Sequence, residues 1–226
     1  MLMCGRYGFI PGKDFYDRFE ITNRDFDLQT SYNVAPGRTM PVVVMNSPKK
    51  ITLMRWGLIP FWAKDPRIGY RTINARAEDV SNRPSYRRAF RNQRCLVPAS
   101  GFYEWKAGEK KKTPYYFRKK GGEMMAFAGL FDIWKDGEGQ EHKTYTIITT
   151  AAGKLLKEVH DRMPVILSKE SEDIWADNIK YTGEELRDLM KPDEKNELIG
   201  YEVATRVNNT ANDYPELIDQ IKKGDF

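Results

Sequence analysis

The chain has 226 residues, 40% of them hydrophobic and 31% charged, which suits one large domain or two small ones with a buried core. No apolar run is long enough to cross a bilayer, and the opening MLMCGRYGF lacks the basic-then-apolar pattern of a secretory signal. Only two cysteines are present, Cys4 and Cys95, so a disulfide framework is excluded and a reducing cytoplasm is the expected compartment.

In chain order, the pattern predicts a helix over 13–20 and strands over 41–46 (PVVVMN) and 51–56 (ITLMRW). A helix over 84–93 follows, then strands over 114–118 (PYYFR), 124–131 (MMAFAGLF) and 144–149 (TYTIIT). Segments 107–113 and 135–142 read as charged hairpin loops. Residues 168–190 read as helical, with Thr182 and Glu185 at capping-box spacing ahead of Leu186, Leu189 and Met190. Strands do not alternate regularly with helices, so the expected class is α+β with a mixed, largely antiparallel sheet rather than a doubly wound fold. No repeat, low-complexity tract or linker divides the chain. The net charge of +5 is unevenly spread: residues 64–94 hold nine bases against three acids, and residues 168–200 ten acids against five bases. Either the basic zone forms a polyanion-binding face or both zones are solvated helix faces.

Several residues could carry chemistry. Cys4 stands beside Gly5 and Arg6, where a thiol can be activated; a free cysteine is otherwise a small buried hydrophobe. With Met1–Met3 removed, Cys4 also carries a free α-amine, whose pKa of roughly 7.7–8.0 lets it attack an aldehyde near neutral pH. The thiol can then close a five-membered thiazolidine, which an internal cysteine cannot do. His160, in EVHDRMPVIL, is the acid/base candidate; His142 lies in a charged segment. Glu104, in SGFYEW, sits among aromatics that would desolvate it and raise its pKa, unless it lies on an exposed strand edge. Asn74 and Arg76, in RTINARAED, share a face if extended and could orient a nucleophile and hold a phosphate. Asn33, before Pro36, can simply make a turn. Trp56 and Trp62 flank Pro60 and either stack on unpaired bases or fill the core. The cysteine and histidine spacings match no zinc site, no phosphate-binding glycine loop is present, and no cofactor is expected.

CGRY, YNVAPG, RWGLIPFWA, TINARAE, RCLVPASGFYEW, FAGLFD, TIITTAA, HDRMPVIL and VNNTANDYPELI occur in that order. As a set, from Cys4 to about Ile218, they closely resemble the SOS response-associated peptidase (SRAP) family, whose members are described as abasic-site-processing proteins. The resemblance implies one domain over residues 4–220, with a barrel-like antiparallel core, flanking helices and a basic groove for single strands. It implies that Cys4, exposed by self-cleavage or an aminopeptidase, crosslinks to the ring-opened sugar of an abasic site in single-stranded DNA. Asn74, Glu104 and His160 map onto the family's other active-site residues. Arg6, Asn33, Trp56, Arg76 and Arg162 are the expected DNA contacts. The expected partner is single-stranded DNA carrying abasic sites, with no membrane or metal, and the protein acts as a monomer. The family begins Met-Cys, whereas this chain begins Met-Leu-Met-Cys, so the chemistry needs Met1–Met3 removed or a start at Met3. Two other readings stand beside this one: a thiol peptidase built on Cys4, His160 and an acid, and a non-covalent single-strand binder. A lyase side reaction through the Schiff base is also open.

Overall fold

The computed structural model describes residues 4–45, 48–109, 111–181, 183–192 and 197–221. In chain order its strands are β1 (Tyr7–Phe9), β2 (Ser31–Val34), β3 (Thr39–Met45), β4 (Lys49–Trp56), β5 (Asn74–Arg76), β6 (Arg94–Ala99) and β7 (Gly101–Lys106). Then come β8 (Thr113–Lys119), β9 (Met125–Lys135), β10 (Glu141–Ala151), β11 (Arg162–Pro164), β12 (Ile166–Leu167) and β13 (Leu198–Glu202). The helices are short: α1 (Phe15–Arg18), α2 (Arg87–Asn92), α3 (Lys154–Lys157), α4 (Lys169–Ala176) and α5 (Glu184–Leu189).

Strands β10, β4, β3, β6 and β9 hydrogen-bond in that order, and β9 returns to β10, closing a five-stranded barrel. Its pairs are antiparallel except β10 with β4. Strand β10 is the hub. Its β-branched run Thr144–Thr150 is buried throughout, because it pairs with β9 and β4 and also carries β5, parallel, and β11, antiparallel. A second, antiparallel sheet runs β13-β8-β7-β1-β2. The chain passes between sheets at Ser100, whose hydroxyl accepts the Ile10 N–H at 2.8 Å. Gly101 follows because a Cβ there would lie 2.2 Å from the Tyr116 ring. The observed class is α+β with a barrel-like core. Among the described residues, no helix is long and apolar enough to cross a membrane.

The five predicted strands all form and are longer than the sequence pattern indicated, though Asn46 lies outside the described residues. The helix expected over 13–20 shrinks to α1, which ends where Glu20 takes φ 55°. The segment 168–190 divides into α4 and α5; Thr182 lies outside the described residues, and Gly183 precedes α5 with no side-chain cap. The 107–113 segment joins β7 to β8 as a hairpin, with Lys110 outside the described residues. The 135–142 loop is shorter than expected. The Asp136 carboxylate accepts the N–H groups of Glu138 and Gln140, and His142 lies in β10 paired with Trp134. The basic zone is less free than its composition implies. Arg94 is fully buried, and Arg67, Arg83 and Arg88 each pair with an aspartate.

Candidate active site

Antiparallel pairing sets the site. Tyr7 faces Phe102 and Gly8 faces Gly101, and the Tyr103 N–H bonds to Arg6 O at 3.0 Å. Continuing that register brings residues 4 and 5 alongside 104 and 105. The backbone nitrogen of Cys4 donates to Glu104 Oε1 at 2.6 Å. Cys4 is fully buried and holds φ 41°, a left-handed conformation uncommon outside glycine. Burial, and secondarily the Glu104 charge, push its thiol well above the usual range. Burial likewise pushes Glu104 up to about 8, against the lowering effect of the Cys4 and Trp105 amides. The charge of Asp161 adds to the rise, which links the turn before β11 to this carboxyl.

Asn74 opens β5 and donates from Nδ2 to Cys4 O at 3.4 Å. Tyr86 Oη donates to the Asn74 carbonyl at 2.9 Å. Strand alternation then sends Ala75 into the core and Arg76 to the surface. Across β10, Arg162 begins β11. His160, with 8% of its side chain exposed, sits in the turn before it. Its Nδ1 accepts the Arg162 N–H at 3.1 Å, a pattern that assigns the neutral ring proton to Nε2. The Asp161 carboxylate, also 3.1 Å from Nδ1, becomes its partner when the ring is protonated.

Arg6 forms one wall of a cleft of about 680 Å³ shared with Glu104, Trp105, Lys111, Lys112, Thr205 and Asn208. Its Nη1 donates to Asn33 Oδ1 at 2.7 Å and Val207 O at 2.9 Å, and its guanidinium lies 5.8 Å from the Trp105 ring centroid. Two of the expected DNA contacts lie inside the fold. Trp56 is 1% exposed; it packs against Tyr7 and Tyr145 and donates its indole N–H to Ile73 O at 2.9 Å. Inward alternation on β4 leaves it no face for a base. Asn33 is fully buried, and its Nδ2 donates to the carbonyls of Val207, Asn209 and Asn212, so it is a strut that holds Arg6 and the 205–212 segment.

The exposed aromatics of the Pro60 segment are Phe61 and Trp62, 51% and 48% exposed. Trp62 edges a groove of about 810 Å³ that also holds Lys64, Arg67, Tyr70 and Arg71. Sequence reasoning missed the cleft residues Trp105, Lys111, Lys112 and Asn208. Asn208 lies within the VNNTANDY stretch, and the two lysines were visible only as a charged hairpin tip. Among the described residues, no group of three or more His, Cys, Asp or Glu could hold a metal ion.

A family-wide sequence profile described as SOS response associated peptidase (SRAP) matches residues 3–210. The chain belongs to the SRAP family. It is 40% identical over 222 residues to the "Abasic site processing protein YoqW" of Bacillus subtilis, covering 96% of this chain and 99% of the relative. It is 32% identical to the "Abasic site processing protein HMCES" of Xenopus tropicalis, covering 87% and 69% of the two chains. A crystal structure of a Bacteroides thetaiotaomicron protein superposes with a TM-score of 0.88 at 26% identity, covering 97% of this SRAP chain and all of the other.

Proposed function

We propose that this SRAP protein captures abasic sites in single-stranded DNA as a covalent thiazolidine on Cys4, once Met1–Met3 have been removed by self-cleavage or an aminopeptidase. The observation that carries this is the 2.6 Å contact between the Cys4 backbone nitrogen and Glu104. That nitrogen becomes the α-amine, so the nucleophile arises already hydrogen-bonded to a carboxyl that burial pushes up to about 8.

The amine attacks C1 of the ring-opened sugar, forming a C–N bond, and the carbonyl oxygen takes a proton from Glu104. The new ammonium nitrogen returns a proton to the Glu104 carboxylate, which passes it to that oxygen while His160 Nε2–H hydrogen-bonds to it; the oxygen departs as water and leaves the iminium. Cys4 Sγ then bonds to C1, and its proton passes to the Glu104 carboxylate. The sum is aldehyde plus aminothiol giving thiazolidine plus water. Asn74 holds the Cys4 carbonyl, so that amine and thiol stay on one face. Arg6, Arg76 and Arg162 take the flanking phosphates, and Trp62, rather than Trp56, offers the stacking face. The protein then works as a monomer in the cytoplasm, at the nucleoid when bound. An intact nucleotide offers no electrophile, so selectivity lies in the aldehyde.

A thiol peptidase acting on other proteins is disfavoured. Its nucleophile must ionise, yet burial holds the Cys4 thiol protonated, and His160 Nδ1 is engaged by the Arg162 amide. The test is denaturing electrophoresis of protein beginning at Cys4, mixed with a single strand bearing one abasic site. A shifted band is expected that is absent with intact DNA, with Cys4→Ala and with Met1–Met3 retained. No band from protein confirmed by mass to begin at Cys4 would sink the proposal.

A further inference from the structure

Arg162 is held in two different ways. On one side it is anchored inside the fold, where Nη2 donates to the Thr149 carbonyl at 2.6 Å. On the other side its fork meets a carboxylate: Nη1 bonds to Glu78 Oε1, and Nη2 bonds to Glu78 Oε2 at 2.9 Å. The two partners differ in exposure. The Arg162 side chain is 11% exposed and that of Glu78 is 56% exposed. Arg162 Nε is buried and has no hydrogen-bond partner among the described residues. Glu78 follows Arg76 by two residues, and Arg162 foremost, with Arg76 also contributing, holds its carboxyl below the usual range. One exposed carboxylate thus pairs with Arg162 and also feels the charge of Arg76.

A planar guanidinium takes a carboxylate and a phosphate in the same two-pronged geometry. We propose that Glu78 is a specificity-determining counter-ion: it occupies the phosphate place on Arg162 in the free protein, and a strand binds only by displacing it. This rests on the reading above that a backbone phosphate reaches Arg162. Every strand that enters must break the Glu78–Arg162 pair and tolerate the released carboxylate nearby. An abasic strand recovers that cost through its covalent bond to Cys4; an intact strand does not. Glu78 therefore shortens the stay on undamaged DNA without touching the reacting atoms. It also keeps Arg162 in place while the site is empty, and the Arg162 amide is the group that fixes His160.

The test is binding of an intact single-stranded oligonucleotide, followed by fluorescence anisotropy over a range of salt concentrations. Glu78→Gln keeps the size and an acceptor but removes the charge. It is expected to bind intact strand roughly three- to tenfold more tightly, the scale of one ordinary net hydrogen bond. Without a carboxylate to take up a cation when it is displaced, the log affinity against log salt slope should steepen by up to about 0.7. In an Arg162→Gln background the same change should have a clearly smaller effect, limited to the loss of repulsion. Selectivity for abasic over intact strand should fall in proportion. Unchanged or weaker binding by Glu78→Gln at normal thermal stability would overturn the proposal and leave Glu78 as a strut for Arg162. So would tightening of the same size without Arg162. Crosslinking to abasic DNA is read separately: if wild type fails to crosslink while Glu78→Gln still tightens intact strand, the covalent reading falls and only the counter-ion role of Glu78 stands.

Discussion

The carboxyl of Glu104 accepts the Cys4 N–H while burial pushes its pKa up to about 8. In the unfolded chain a glutamate titrates near 4.3, so between those values the folded state holds a proton that the unfolded state has lost. The raised value therefore favours folding at low pH, and that contribution fades as pH rises towards and through about 8. Glu104→Gln removes the titration. Its melting temperature should gain on wild type progressively between about pH 5 and 9, a difference on the order of a few kcal/mol; a flat difference would mean that the carboxyl is not desolvated. In protein that begins at Cys4, the same substitution should slow crosslinking about a hundredfold, the scale of losing a general acid–base. Single-turnover gels measure that rate. Glu104 and Asn74 could be picked out from sequence because a carboxylate among aromatics and an extended Asn-x-Arg are local signals. Trp56 and Trp62 could not be told apart by residue type. Alternation in ITLMRW held the answer, since Leu53 and Arg55 point outward and Met54 and Trp56 inward.

Elements of this fold that carry β-branched runs were readable, and those formed by long-range pairing were not. Strands β3, β4, β8, β9 and β10 matched their patterns, whereas β1, β2, β11 and β12 have two to four residues each and exist only through their partners. Charge counting misled most at Arg94. Its guanidinium donates to carbonyls at the end of α2 (Phe90 and Arg91), at the end of α4 (Trp175) and past it (Asp177 and Tyr181). A cation there completes hydrogen bonds that helix ends leave open, and burial pulls its pKa down to about 10. Arg94→Met leaves those carbonyls unsatisfied and should cost at least ~3 kcal/mol. Urea denaturation should show a lower midpoint with an unchanged slope; an unchanged midpoint would return Arg94 to the surface zone.

At the scale of the molecule, the ends of the chain are tied together at the cleft. Arg6 and Asn33 both hold Val207 O, and Asp213 accepts from Ser31, the Tyr32 amide and Arg38. Asn33→Ala should destabilise the protein by about 2–4 kcal/mol through stranded buried groups. Its amide exchange should quicken first over residues 205–213. A melting temperature equal to wild type would mean that Asn33 is not the strut.

The Arg6–Val207 contact spans 201 positions of sequence, and that sets an order in time. Arg6 is made before the Val207 carbonyl that holds it, so this wall of the cleft stays unbuilt during synthesis until residue 207 has emerged. A chain stopped short of Val207 would keep Arg6 and Asn33 without the carbonyl that both of them hold, and that wall of the cleft would be missing.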